Sequence, residues 1–226
     1  MRWSAARWIR RERDGMKPKT GRRTPNIYRL TLGALYVALF ALAGNVPLLS
    51  AIQIIPGVPI TLQVFLIAMM GLTLGLRGGM TAFAAVMVLT FCGLPMMAGG
   101  KGGPGVFVGP TGGYIIGWAF IVLLLGLYSS YGMDKLVLKK WRGMSIHLPV
   151  SFLIGMAGVL LDYVCGSLAL AAAGGRALSE LPGLLLANAA FLPGDMIKIG
   201  LASALSLSLF AGPVFRRLLH MERARG

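Results

Sequence analysis

Acidic side chains are scarce in this chain. Asp and Glu number seven among 226 residues, against 22 Lys and Arg. Histidine occurs twice, at His147 and His220, and cysteine twice, at Cys92 and Cys165. None stands at metal-ligand or redox spacing, and both histidines lie in basic segments, so a zinc or His-based catalytic site is not expected. Both cysteines fall in apolar stretches and read as small buried hydrophobes. Nucleotide and nucleophile motifs are missing as well. There is no GxSxG string. A Walker A sequence fails twice, because Gly102 follows Lys101 and Pro95 stands where the first glycine belongs. Gly100–Gly105 matches GxGxxG formally, but it follows an apolar run and has Pro104 where a helix should open. No ATP or dinucleotide site is therefore expected. Charge itself is sparse: 13% of residues are charged and 56% hydrophobic. Mean hydropathy is +0.75. That composition belongs to a polytopic membrane protein. A net charge of +15 would point to nucleic acid in a soluble chain. Here its placement gives another explanation.

Six apolar runs are near the ~20 residues needed to cross a bilayer core of ~30 Å, the second of them short. They are Ile27–Leu49, Thr61–Leu76, Gly79–Met97, Gly113–Tyr131, Leu148–Ala173 and Leu184–Ala211, the last interrupted by Pro193-Gly194. With the N-terminus cytoplasmic, the inner side receives ten cations through Arg29, then Arg77. It also receives Lys135, Lys139, Lys140 and Arg142, then Arg216, Arg217, Arg223 and Arg225. The outer loops receive only Lys101 and Arg176, and Lys198 lies within the sixth run. This asymmetry is the positive-inside pattern. The expected fold is all-α: six transmembrane helices in a plasma membrane, both termini cytoplasmic, and a Gly-rich outer loop between helices 3 and 4. Residues 1–25 form a basic tail, 26–212 the membrane domain, and 213–226 a second basic tail. Trp3, Trp8 and Ile9 among arginines can lie on anionic lipid. The run from residue 27 is too long for a signal-peptide core. Met16 is an alternative start.

Three features need more than a generic bundle. The first is Phe191-Leu192-Pro193-Gly194-Asp195-Met196-Ile197-Lys198. Asp and Lys three apart share one helix face and can neutralise each other. Ionisable residues within apolar helices mark functional sites or, alternatively, a structural ion pair. Asp162 is a second acid inside an apolar run. The second feature is the loop from Ala98 to Tyr114, with eight glycines mixed with Val, Phe and Pro. A flexible linker would be more polar. This one is expected to fold back onto the protein as a binding loop, a passive connector being the alternative. The third is Ala34 and Ala38, four apart on the first run. They make a flat strip for another helix, either a partner's or one inside the bundle. Gly71 and Gly75 offer a second strip.

Together these strings resemble the BioY family, the biotin-specific S components of energy-coupling-factor vitamin transporters. The resemblance rests on Val58-Pro59-Ile60-Thr61-Leu62-Gln63, on Gly93-Leu94-Pro95 with the loop after it, on Gly109-Pro110-Thr111-Gly112-Gly113-Tyr114, and on the Asp195–Lys198 string. It runs from about residue 27 to 212. It implies high-affinity capture of biotin near the outer face, with biotin as cargo and no cofactor. It implies a transmembrane T component and two cytoplasmic ATPases as partners, some members working without the ATPases. It places Ala34 and Ala38 against the T component. The implied binding residues are Gln63, Gly100, Lys101, Gly102, Phe107, Thr111, Gly112, Tyr114, Asp162, Asn188, Asp195 and Lys198. Biotin has a carboxylate tail, for which Lys198 and Lys101 are the candidate cations. Members of the family often carry Arg at the Lys101 position, and Lys supplies a point charge without the bidentate fork. The urea ring has N–H donors and a carbonyl. Asp195, Asn188, Gln63 and loop backbone can complement these, with Tyr114 and Phe107 against the apolar ring. Another vitamin, a stand-alone facilitator, and a membrane enzyme using Asp195 and Lys198 as acid and base are the competing readings. No second acid/base set or nucleophile motif supports the enzyme.

Overall fold

A computed structural model describes residues 27–45, 53–55, 58–59, 61–132, 141–175 and 177–211. Both basic tails and Arg176 lie outside the described residues. The chain is helical, as long apolar segments must be where no water satisfies the backbone.

Helix α1 (Ile27–Asn45) turns Tyr36, Phe40 and Ala43 inward, at the three-to-four spacing of one helix face. It is described as far as Asn45, and residues 46–52, with the expected end at Leu49, are outside the described set. A short antiparallel hairpin follows, β1 (Gln53–Ile55) with β2 (Val58–Pro59), pairing Gln53 with Pro59 and Ile55 with Val58.

Helix α2 (Gln63–Phe91) spans two of the expected crossings, yet it is not straight. Gly75 has φ 70° and ψ −175°, a left-handed break that other residues adopt only under strain. A Cβ on Gly79 would lie 2.9 Å from the Met70 carbonyl and 3.2 Å from Gly71 Cα. In a straight helix residues 70 and 79 are ~13 Å apart along the axis. The chain therefore doubles back at Gly75. The reversal is held from outside: Leu76 N–H donates to Ser130 Oγ at 2.8 Å, and Ser129 Oγ donates to the Leu72 carbonyl at 2.5 Å. The second limb stops at Phe91 rather than Met97, because Gly93 turns at φ 95°.

After the one-turn α3 (Gly105–Val108) comes α4 (Gly112–Leu127), continued by a π-helical turn over Tyr128–Gly132. Helix α5 (Trp141–Ala173) starts earlier than the expected Leu148 and carries Pro149 within it. One missing N–H is tolerated inside a membrane bundle. The last expected crossing is two helices, α6 (Leu181–Ala187) and α7 (Leu192–Ala211), joined by a 3₁₀ turn at Asn188–Ala190 and bent by 58°. The break lies before Pro193-Gly194, not at it. Proline fits the first helical turn, where its absent N–H has no partner to lose.

Helix α4 lies between α2 and α5, with Ile121, Val122 and Leu125 fully buried. Glycine makes the α4–α5 seam close. A Cβ on Gly158 would sit 2.9 Å from Ile121 Cα, and one on Gly113 would overlap the Cys165 carbonyl. The Gly71 strip is used in the same way, against Leu125 and the Val122 carbonyl at 3.0 Å. Gln63–Phe91 (taken without regard to its reversal at Gly75), Gly112–Gly132 and Ile146–Ala173 are long and apolar enough to cross a membrane, and the bent pair Leu181–Ala190 with Leu192–Leu209 makes a fourth when taken as one. This is a membrane protein.

Candidate functional site

The first turns of α4 and α7 and the C-terminal half of α5 bring a polar cluster into one end of the bundle. Asp195 lies in the first turn of α7, where the helix N-terminus favours an anion. Lys198 Nζ reaches Asp195 Oδ1 at 2.9 Å, and both side chains are largely buried, 13% and 8% exposed. The expected pair is thus formed. Its other oxygen is also engaged: Tyr163 Oη donates to Asp195 Oδ2 at 2.7 Å. Tyr163 was not among the expected residues. A tyrosine in an apolar helix carries no signal until the fold supplies its partner.

One turn further along α5, Ser167 joins a second set. Tyr114 Oη donates to Asn188 Oδ1 at 2.7 Å, and Asn188 Nδ2 donates to Ser167 Oγ at 2.8 Å and to the Leu184 carbonyl at 3.1 Å. Asn188 is fully buried. The ring of Tyr114 lies directly over Gly166, where any Cβ would overlap it. Asp162 lies between the sets, 4% exposed and packed on Gly117, whose Cβ would overlap its Oδ1. Asp162 Oδ1 accepts no hydrogen bond among the described residues. It lies within electrostatic reach of both Asp195 and Tyr114.

The Gly-rich loop folds back on the protein at this same end. Gly99 N–H donates to the Gly44 carbonyl at 2.9 Å, Gly103 N–H to the Thr90 carbonyl at 2.7 Å, and Met97 N–H to the Lys101 carbonyl at 2.9 Å. Gln63 Nε2, buried at the start of α2, supports the loop through the Met96 carbonyl at 2.8 Å. Gly100 turns at φ 71° beside Asn45, and Gly102 is pressed against the Leu94 carbonyl. The side chain of Lys101 is exposed. Phe107 is half-buried and packs on Phe91, ring centroids 6.2 Å apart. Gly112 fits under the Phe107 carbonyl, where a Cβ would overlap it, and Thr111 is half-buried just before α4. The structure thus joins Asp195 with Lys198, and Tyr114 with Asn188. No described contact joins Lys101, Phe107 or Gln63 to either set.

Two further features complete the placement. Ala34 and Ala38 face outward on α1, beside exposed Leu35, Leu39 and Leu42. At the opposite end of the bundle His147 is fully buried, with Tyr128 Oη 2.9 Å from Nδ1 and Ser206 Oγ 3.1 Å from Nε2. Both ring nitrogens are engaged, so this cluster ties α4, α5 and α7 together.

The profile of the BioY family matches residues 16–212 of this chain. The "Biotin transporter BioY" of Rhizobium etli is 34% identical over 184 residues, 81% of this chain and 93% of that protein. The "Biotin transporter BioY" of Rhodobacter capsulatus is 35% identical over 176 residues, 75% of this chain and 86% of that protein. A crystal structure of the S-component for biotin from an ECF-type ABC transporter is similar with a TM-score of 0.70 and 30% identity. It covers 84% of this chain and 95% of that one.

Proposed function

The chain belongs to the BioY family, and from that premise we propose that it captures biotin at the plasma membrane as the S component of an energy-coupling-factor transporter. The observation that carries the ligand reading is the buried Lys198–Asp195 pair at the end of the bundle closed by the Gly-rich loop. A cation held there by a single carboxylate oxygen retains N–H donors for an acid tail. Lys198 is the better anchor. Lys101 has its backbone fixed by Met97 and its side chain in the open. For the urea, Asp162 Oδ1 is the candidate acceptor, since it takes no hydrogen bond among the described residues, whereas Asn188 is committed to Tyr114, Ser167 and Leu184.

The reversal at Gly75 makes two crossings of α2, so that with α1, α4, α5 and the bent α6–α7 pair the chain crosses the membrane six times. Both termini are then cytoplasmic and the Gly-rich loop faces outward, which puts exposed Arg77 on the inner side with most of the other cations. A T component docks on the outward Ala34/Ala38 strip, and two ATPases supply the nucleotide chemistry for which this chain has no motif.

The test is a titration of purified protein, without other subunits, with biotin, thiamine and riboflavin. Biotin binds and the other two do not. Binding of another vitamin in its place makes the chain an S component of different specificity. Failure of all three to bind overturns the capture role.

A further inference from the structure

Asn188 stands at the break between α6 and α7, and its side chain is held from two other helices. Tyr114 from α4 donates to its Oδ1, while its Nδ2 reaches Ser167 on α5 and the Leu184 carbonyl on α6. Gly166 makes this possible, because the Tyr114 ring occupies the space a Cβ would need. The backbone then continues the linkage. Phe191 N–H donates to the Asn188 carbonyl at 2.9 Å, and Asp195 N–H donates to the Phe191 carbonyl at 3.0 Å. Two backbone hydrogen bonds therefore separate the fixed amide of Asn188 from Asp195.

We infer that Tyr114, Gly166 and Ser167 form a pin on Asn188 that sets the α6–α7 bend and so positions Asp195 and Lys198 for the ligand. This rests on the proposed binding site. It gives Tyr114 and Asn188 a positioning role in place of the ligand contact expected from sequence. Tyr114 has its hydroxyl committed and its ring against α5, and Asn188 has both amide protons in use. A pin of this kind makes the bend a fixed property of the unliganded protein, so ligand binding need not order it.

Tyr114→Phe and Ser167→Ala each break one hydrogen bond and keep the ring or helix. Each should weaken biotin binding about tenfold, the scale of one buried hydrogen bond. In an Asn188→Ala background neither should add more than about twofold, because both act through the missing side chain. A second readout needs no ligand. Spin labels are placed at the exposed positions Leu160 on α5 and Leu186 on α6, with Cys92 and Cys165 replaced by Ser and Ala. Pulsed dipolar distances should broaden in both variants. If the parent binds no biotin but the distances broaden, the pin stands and the ligand reading falls. If the parent binds biotin and neither variant changes affinity or distance, the pin is overturned. Loss of affinity with unchanged distances also overturns it, and makes Tyr114 a direct ligand contact. Should Tyr114→Phe not be recovered folded, Ser167→Ala carries the same test.

Discussion

Asp195 is held at both oxygens, by Lys198 and Tyr163, and Lys198 is the cation proposed to meet the ligand's acid. Lys198→Ala leaves Tyr163 in place but removes the cation. Truncating one partner of a buried charge pair costs ~2–5 kcal/mol, or roughly 30- to several-thousand-fold in affinity. A biotin derivative whose acid is a neutral amide should bind the parent weakly and lose little more in Lys198→Ala. Isothermal titration of the two ligands against the two proteins gives the coupling directly. Equal amide penalties in both proteins would transfer the carboxylate to Lys101. The pair itself was legible, since a three-residue spacing on a helix needs no tertiary information. Tyr163 and Ser167 were not. Their partners lie 32 and 21 residues away, on helices whose rotation the sequence does not state.

At the scale of elements, the reversal in α2 depends on Gly75 and on two serines from the turn after α4. Gly75→Ala forces a Cβ into an extended positive-φ conformation that is essentially glycine-only, costing ~1–3 kcal/mol. It also brings that atom to 2.8 Å from Ser130 Oγ. Ser130→Ala leaves the Leu76 N–H without its acceptor, at ~1–3 kcal/mol. Both should lower the thermal midpoint of the detergent-solubilised protein by several degrees. Biotin affinity should change little, since the reversal lies at the far end from Asp195. A differential scanning measurement with and without biotin separates the two effects. The composition marked the two limbs by apolar runs on either side of Arg77. The break between α6 and α7 was misplaced, because Pro-Gly reads as an interruption while proline is at ease in a first turn. The folding back of the Gly-rich loop was legible from its apolar residues, and its anchors on Gly44 and Thr90 were not.

For the whole molecule, the Asp195/Lys198 cluster and the Ala34/Ala38 strip are on different helices and different surfaces. Ala34→Trp should therefore leave biotin affinity unchanged in the isolated chain while reducing copurification with the T component and uptake in cells. Affinity measured on the variant alone, beside pull-down from co-expressing cells, separates the roles. Loss of biotin affinity together with an intact complex would place the strip's function inside the bundle. The placement of cations and the apolar runs were enough to anticipate a helical membrane protein. Which strip of small residues faced inward depended on helix rotation, and Gly71 took that place while Ala34 and Ala38 did not.

The glycine seam between α4 and α5 has a kinematic consequence. At Gly113, Gly117 and Gly158 the glycine side of the seam carries no side chain, so a Cβ would sit 2.9 Å from Ile121 Cα at Gly158 and 2.8 Å from Asp162 Cα at Gly117. On its glycine side such a joint has no rotamers to exchange, and close packing leaves little room for a shift. In the proposed transport role, helices α4 and α5 are therefore expected to move as one body. Any opening toward the cytoplasm then falls on the joints of that body with α1, α2 and α7. A covalent cross-link across the α4–α5 seam would leave the cycle running, whereas one between α5 and α7 would arrest it with the vitamin enclosed.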